Sequence, residues 1–238
     1  NIPLLYACWN NHENIVKYLV EKGAKISWFV CHRDNVDLLK YLVETCKIDV
    51  NEEDEDGRTL LFYACEKGNE NIVKYLVEQG ADVNKENKYG ETPLFLACEK
   101  GDENIVKYLV EQGADVNKEN NDGETPLLKA CIEGHENIVK YLAEHGADVN
   151  KEDGYGKTPL SIADKYGHGN IVKYLLDKGN KEASLGSDAE SSAQGETGVS
   201  SVILNVAEVH KADGETPLPI AHEGSSLGSD TEWSDIED

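Results

Sequence analysis

The stretch Glu103-Asn-Ile-Val-Lys-Tyr-Leu109 decides the fold, because the chain carries the same seven residues at Glu70-Asn-Ile-Val-Lys-Tyr-Leu76. The two copies lie 33 residues apart. The same step separates the members of four further sets: Gly57, Gly90, Gly123 and Gly156; Thr59, Thr92, Thr125 and Thr158; Ala64, Ala97, Ala130 and Ala163; and Gly80, Gly113, Gly146 and Gly179. A fixed period of this length predicts stacked repeats, each of which is one small supersecondary unit.

Each unit reads as two short helices followed by a polar loop. Thr92 and Pro93 predict the start of the first helix, as an N-cap and a first-turn proline, and Gly101 predicts its end. A second helix follows and stops at Gly113. Its apolar face consists of Ile105, Val106, Leu109 and Val110. The polar, turn-rich stretch 115–123 then predicts an exposed finger.

The unit that begins at Gly123 resembles the ankyrin repeat. The residues that carry the resemblance are Gly123-Glu-Thr-Pro-Leu127, Ala130, Gly134-His135, Ile138-Val139, Leu142 and Gly146-Ala-Asp-Val-Asn150. The resemblance extends over about residues 1–180. It implies an all-α solenoid in which each repeat has a helix-turn-helix and a β-hairpin finger, and whose concave side binds other proteins.

We predict an array over residues 1–182 and an acidic tail over 183–238. The six repeats are expected at 1–23, 24–56, 57–89, 90–122, 123–155 and 156–182. The second repeat is irregular, because Gly23-Ala-Lys-Ile-Ser27 stands where a finger and its Thr-Pro-Leu are expected. The sixth has Asp164 where other repeats have Cys, which suits a polar end cap. The chain starts in mid-pattern at Asn1 and without Met, so we read it as a fragment.

The tail is rich in Ser, Gly, Asp and Glu, a composition that predicts disorder. Asp213-Gly-Glu-Thr-Pro-Leu218 repeats Asp122-Gly-Glu-Thr-Pro-Leu127, so we interpret 200–224 as a decayed repeat. Val202-Ile-Leu-Asn-Val206 also resembles a strand motif that binds ubiquitin-like modifiers, and this alternative stays open. So does the question of whether the tail is inert or folds back to inhibit the array. Acidophilic kinase sites are predicted at Ser187, Ser229 and Ser234.

Charge and the placement of histidine and cysteine limit the classes of partner and site that the chain can have. The net charge of −23 argues against nucleic acid or anionic membrane as the main partner, since both favour a positive surface. The seven histidines lack zinc-helix spacing.

Five cysteines occupy equivalent positions, too far apart for disulfides, and predict buried thiols in a reducing, intracellular compartment, cytoplasmic or nuclear. These are Cys8, Cys31, Cys65, Cys98 and Cys131. We expect no enzyme activity, no cofactor and no metal.

The resemblance implies that partner contacts come mostly from the finger tips and the first helices. The predicted partner-binding residues are Arg58, Glu66, Lys88, Tyr89, Glu91, Glu99, Asp122, Glu124, Ile132, Glu133, Tyr155, Lys157 and Tyr166. The three tyrosines are the expected anchors, because exposed aromatics are common hot spots. The resemblance also implies asparagine hydroxylation as a candidate modification of Asn84, Asn117 and Asn150. We favour a turn hydrogen bond as the reason for an asparagine at these positions, and the two interpretations are compatible.

These observations predict a non-enzymatic scaffold or adaptor, a monomer that binds a protein or peptide segment of some basic character. The alternative is the regulatory array of a larger enzyme or channel whose catalytic part lies outside this sequence.

Overall fold

The computed structural model describes residues 2–10, 12–24, 28–31 and 35–187, and within these residues the regular structure is entirely helical. The helices are α1 (Ile2–Trp9), α2 (Glu13–Glu21), a 3₁₀-helix (Trp28–Cys31), α3 (Val36–Glu44), α4 (Leu60–Glu66), α5 (Glu70–Glu78), α6 (Pro93–Lys100), α7 (Glu103–Glu111), α8 (Pro126–Glu133), α9 (Glu136–Glu144), α10 (Pro159–Lys165) and α11 (Gly169–Ser187). None of the described helices is long and apolar enough to cross a membrane.

The boundaries of α6 and α7 follow from the residues at their ends. The Thr92 hydroxyl accepts a hydrogen bond from the Phe95 N–H at 3.3 Å, and Pro93 takes the first helical position. Gly101 ends α6 with a φ of 78°, in the left-handed region that glycine enters at little cost. α7 begins at Glu103. The predicted capping of this unit is confirmed.

The helices stack so that neighbouring units share one core. The first helices α4, α6, α8 and α10 pack side by side, and each also packs on the second helix of its own unit. A hydrophobic cluster runs from Leu4 to Leu175. Because one unit of this size buries too few apolar side chains to fold alone, the stack is the folding unit.

The fingers differ from the hairpins that the resemblance implies. Within the described residues no strand is present. Two backbone bonds, from the Asn87 N–H to the Glu91 carbonyl and from the Gly90 N–H to the Asn87 carbonyl, both at 3.0 Å, close one finger. The Asn87 side-chain oxygen also accepts from the N–H groups of Tyr89 and Glu91. The finger is therefore a side-chain-braced turn, too short for a two-stranded ladder.

Two segments depart from the regular unit. Residues Trp28–Cys31 form a 3₁₀-helix where a first α-helix would stand, in the stretch expected to be irregular. At the other end, α11 continues past residue 182 to Ser187 and passes through Gly179. The equivalent glycines 80, 113 and 146 have positive φ and end their helices. The residues after Gly179 are Asn-Lys-Glu-Ala, and the Lys-Glu-Ala run favours helix continuation.

Candidate partner-binding surface

Four equivalent residues, Asp56, Tyr89, Asp122 and Tyr155, lie at the turns of successive fingers, and we call them the tip row. Backbone bonds join each finger to the next. The carbonyls of Asp56, Tyr89 and Asp122 accept from the N–H of the following finger at 2.9, 2.9 and 2.8 Å. The tip row is thus held in register by main-chain contacts, whichever side chains it carries.

The predicted tyrosine anchors are all exposed. Tyr89 and Tyr155 are 54% and 76% accessible at the tip row, and Tyr166 is 36% accessible just after α10. The ammonium of Lys165 lies 5.2 Å from the Tyr166 ring centre, and the ring of His168 stacks beside it. The structure therefore places Tyr89 and Tyr155 on one row and Tyr166 at a separate position.

The charges on the first regular finger are used within the fold. Arg58 pairs with Asp54 and Asp56 at 3.3 Å each, and its guanidinium lies 4.8 Å from the Tyr63 ring centre. The Tyr63 hydroxyl donates to Asp54, and Lys88 pairs with Asp56. Burial alone would raise the pKa of Asp54, but these hydrogen bonds and the Arg58 charge lower it overall. Arg58 and Lys88 therefore have partners inside the array.

Glu91 and Glu124 brace their own fingers. The Glu91 carboxylate accepts from the Asn87 amide at 2.8 Å, and that of Glu124 accepts from the Asn120 amide at 3.0 Å. Both glutamates are only partly exposed. Their first role is to hold the finger turn.

On the first helices, lysines pair with the predicted acidic contacts. Glu66 pairs with Lys67 at 3.0 Å, in the third unit. Lys129 lies between Glu99 and Glu133, at 3.4 and 3.3 Å. Burial alone would raise the pKa of Glu99, but ion pairing with Lys100 and Lys129 lowers it overall. The Glu99–Lys129 pair joins α6 to α8 across two units.

The remaining predicted contacts differ in exposure. Ile132 is half-buried, and its carbonyl lies 3.1 Å from the His168 imidazole. Lys157 is exposed, and its N–H donates to the Asp153 carboxylate at 2.8 Å. Asp122 is exposed on the tip row.

Comparison with known families assigns this architecture. The family described as "Ankyrin repeats (3 copies)" matches residues 26–120 and 113–185, and the one described as "Ankyrin repeat" matches residues 1–28. The chain belongs to the ankyrin repeat family. Ankyrin repeats are generally protein–protein interaction modules and are typically not catalytic. No curated protein matches the chain.

The ankyrin asparagines form a ladder between units. The Asn84 amide donates to the Gly113 carbonyl at 3.0 Å and accepts from the Asp115 N–H at 2.8 Å. Asn117 makes the same two bonds, to the Gly146 carbonyl and from the Asp148 N–H. Asn150 is the last asparagine of the set. The side chains of Asn84 and Asn117 thus bond to the following unit and not within their own turn, which corrects the expected turn hydrogen bond. Hydroxylation at the three positions stays a prediction.

The cysteines of the repeats are buried thiols. All six cysteines are free, and Cys46, in the irregular region, is the half-buried one. Burial raises the pKa of Cys8 to about 11 and that of Cys31 and Cys131 to about 12. Within the described residues, no cluster of side chains could hold a metal ion. The repeat cysteines therefore pack as small apolar residues.

The predicted phosphorylation sites fall at or beyond the end of the described chain. Ser187 is the last residue of α11. Ser229, Ser234 and the segment 200–224 lie outside the described residues. The three serines stay predictions.

Four exposed large apolar side chains near the start of the chain were not predicted from the sequence. Tyr6, Trp9, Ile15 and Tyr18, on α1 and α2, are each about half exposed or more. The repeat pattern carried a signal of this exposure. Ile15 and Tyr18 are the equivalents, in the first unit, of Ile72 and Tyr75, which are buried.

Proposed function

We propose that the chain is a non-enzymatic scaffold or adaptor that binds a protein segment through its tip row and first helices. The observation that carries this proposal is the exposure of Tyr89 and Tyr155 on a row of backbone-linked turns. Large aromatic side chains on a rigid support are the usual source of hot-spot binding energy. Because the tips are already joined by backbone bonds, a partner would lose little free energy in ordering them.

The charged residues among the predicted contacts are less suited than the tyrosines to act as binding anchors. Arg58, Lys88, Glu91 and Glu99 each have a partner within the array. Removing such a side chain would alter the array as well as the interface. The tyrosines, in contrast, can lose their rings at little cost to the fold.

The partner is expected to carry basic character. The chain has 46 acidic and 23 basic side chains, and complementary charge speeds association and selects partners. We further propose that the chain acts as a monomer. We also propose a reducing, intracellular compartment, cytoplasmic or nuclear, because its cysteines are free and thiols stay reduced there.

A matched pair of variants tests the proposal. The full wild-type chain and the variant Tyr89→Ala/Tyr155→Ala are each used as bait. The amounts of the proteins that the two baits capture are compared by mass spectrometry. We expect the enrichment of specific partners to fall about tenfold or more, since two hot-spot tyrosines each contribute upwards of about 1 kcal/mol. The control, Tyr6→Ala/Tyr18→Ala, removes two equally exposed tyrosines from α1 and α2 and should retain capture. Equal capture by all three baits would reject the assigned surface.

A further inference from the structure

An open cleft lies between the last two fingers. Its volume is about 460 Å³, and its walls include Asn121, Asp122, Gly154 and Tyr155. It is thus bounded by a carboxylate from one tip and an aromatic residue from the next. The Asp122 carbonyl accepts from the Gly154 N–H at 2.8 Å, which joins the two walls through the backbone.

The same pairing of tips occurs two units earlier, and there a lysine occupies it. Asp56 and Tyr89 are the equivalents of Asp122 and Tyr155. Lys88 pairs with the Asp56 carboxylate, and its ammonium lies 5.3 Å from the centre of the Tyr89 ring. Arg58 pairs with the second oxygen of Asp56 at 3.3 Å. An ammonium between a carboxylate and a ring face is stabilised by both.

Both cations are missing from the later groove. Gly154 stands at the position of Lys88, and Glu124 at that of Arg58. A Cβ at Gly154 would lie 2.6 Å from the Asp122 carbonyl oxygen, so a side chain there would require the backbone to shift. The Glu124 carboxylate turns to the Asn120 amide. The array therefore retains the acidic and aromatic walls of the groove and leaves its cation to be supplied from elsewhere.

We propose that the groove between Asp122 and Tyr155 binds a lysine side chain of a partner protein. The ammonium would pair with the Asp122 carboxylate, and the methylene stem would cross Gly154 beside the Tyr155 ring, as Lys88 does at Asp56 and Tyr89. This proposal rests on the proposed function and specifies one residue of its partner. It also makes Asp122 a specificity-determining residue, while the tyrosines supply apolar contact.

The tip row suggests what surrounds this lysine. Neighbouring tips are one repeat apart, roughly 10 Å by the packing distance of helices, and an extended chain covers that distance in about three residues. An apolar residue three positions from the lysine would then meet Tyr89. The probe is therefore the capped heptapeptide Leu-Ser-Ser-Lys-Ser-Ser-Leu, and its control has glutamine in place of the lysine.

Amide chemical shifts of the ¹⁵N-labelled full chain are followed as each peptide is added. We expect the lysine peptide to shift the amides of Asp122, Gly154 and Tyr155 and to bind about three- to tenfold more tightly than the glutamine peptide. Asp122→Asn should abolish that difference. The matched Asp56→Asn should retain it, because the Asp56 carboxylate is already paired with Lys88. Equal affinities of the two peptides, or equal losses in both variants, would overturn the proposal.

A transplanted groove gives a second test. Asp54→Asn/Arg58→Glu/Lys88→Gly gives the earlier tips the equivalents of Asn120, Glu124 and Gly154. The ¹⁵N spectrum reports whether this variant folds. In the folded variant the lysine peptide should also shift Asp56 and Tyr89, and unchanged shifts there would refute the parallel between the grooves. Capture experiments separate this inference from the proposed function. Full capture by Asp122→Asn, together with loss by Tyr89→Ala/Tyr155→Ala, would reject the lysine groove and retain the scaffold.

Discussion

The first unit and the regular array carry the same seven residues and bury them differently. Glu13-Asn-Ile-Val-Lys-Tyr-Leu19 in α2 is identical to the stretch that begins α5 at Glu70. Ile15 and Tyr18 are 49% and 58% exposed, whereas Ile72 and Tyr75 are 0% and 6% exposed. Because the local sequence is the same, the difference comes from the neighbour. In a solenoid each repeat is covered by its neighbouring repeats, and α5, which carries Ile72 and Tyr75, packs between α3 and α7.

Contacts between second helices show how the neighbour acts. α5 packs on α3, α7 on α5 and α9 on α7. Each preceding unit places a lysine near the ring of the next tyrosine. Lys40, Lys74 and Lys107 lie 5.8, 5.9 and 5.8 Å from the ring centres of Tyr75, Tyr108 and Tyr141. Tyr18 instead has Lys22 of its own unit, at 5.6 Å.

The largest expected effect is a loss of stability when the same isoleucine position is truncated in a regular unit and in the first unit. Ile105→Ala should lower the free energy of unfolding by about 2–5 kcal/mol, because it opens a cavity between two units. Ile15→Ala, the same change in the same local sequence, should cost less than about 1 kcal/mol, since half of the side chain is already in water. Guanidinium unfolding followed by circular dichroism at 222 nm measures both. Similar losses would mean that the first unit is covered in solution.

The second prediction compares the helix caps of the third and fourth units, the two regular units nearest the irregular segment. Thr92 accepts the Phe95 N–H, whereas the hydroxyl of Thr59 is buried without a hydrogen-bond partner within the described structure. Leu60 follows Thr59 in the place of the proline that follows Thr92. Thr92→Ala should therefore cost about 1 kcal/mol, and Thr59→Ala should be neutral or slightly stabilising. The same unfolding measurement decides, and a clear loss in Thr59→Ala would indicate a cap that forms in solution.

The sequence allowed the regular unit to be predicted in some detail. The cap at Thr92, the stop at Gly101 and the buried face at Ile105 all follow from local pattern, because each depends on residues a few positions away. The continuation of α11 through Gly179 did not follow. The period placed a helix stop there, but a glycine ends a helix only where the next residues turn away, and Lys-Glu-Ala does not favour a turn.

The pairing of Lys88 and of Glu99 could not be predicted from the sequence, because these ion pairs cross between units. The periodicity places Lys88 and Asp56 on neighbouring fingers, but their pairing depends on the distance between those fingers. The same holds for Glu99 and Lys129. Several predicted contacts thus pair with charges inside the array: Arg58 and Lys88 with Asp56, and Glu99 and Glu133 with Lys129.

The smallest effect concerns such a cross-unit pair. Lys129 is mostly buried between Glu99 and Glu133, and these carboxylates raise its pKa although burial alone would lower it. Lys129→Gln should cost about 1 kcal/mol at pH 7, because two partly buried carboxylates lose their cation. The control is Lys17→Gln in the first unit, where the Lys17–Glu13 distance is 3.8 Å. Exposed pairs of this kind contribute about 0–0.5 kcal/mol.

The pH dependence distinguishes the pair from simple packing. The folded-state pKa of Glu99 is lowered, so its stabilising contribution is present above the unfolded pKa of about 4.3 and is lost as the pH falls through the folded value. The difference between the wild-type chain and Lys129→Gln should thus persist from pH 7 to about pH 5 and shrink below about pH 4. Urea unfolding at a series of pH values measures it. A difference that stays constant down to pH 3 would show that the Lys129 stem stabilises the joint between α6 and α8 by packing, as apolar residues do elsewhere in the array.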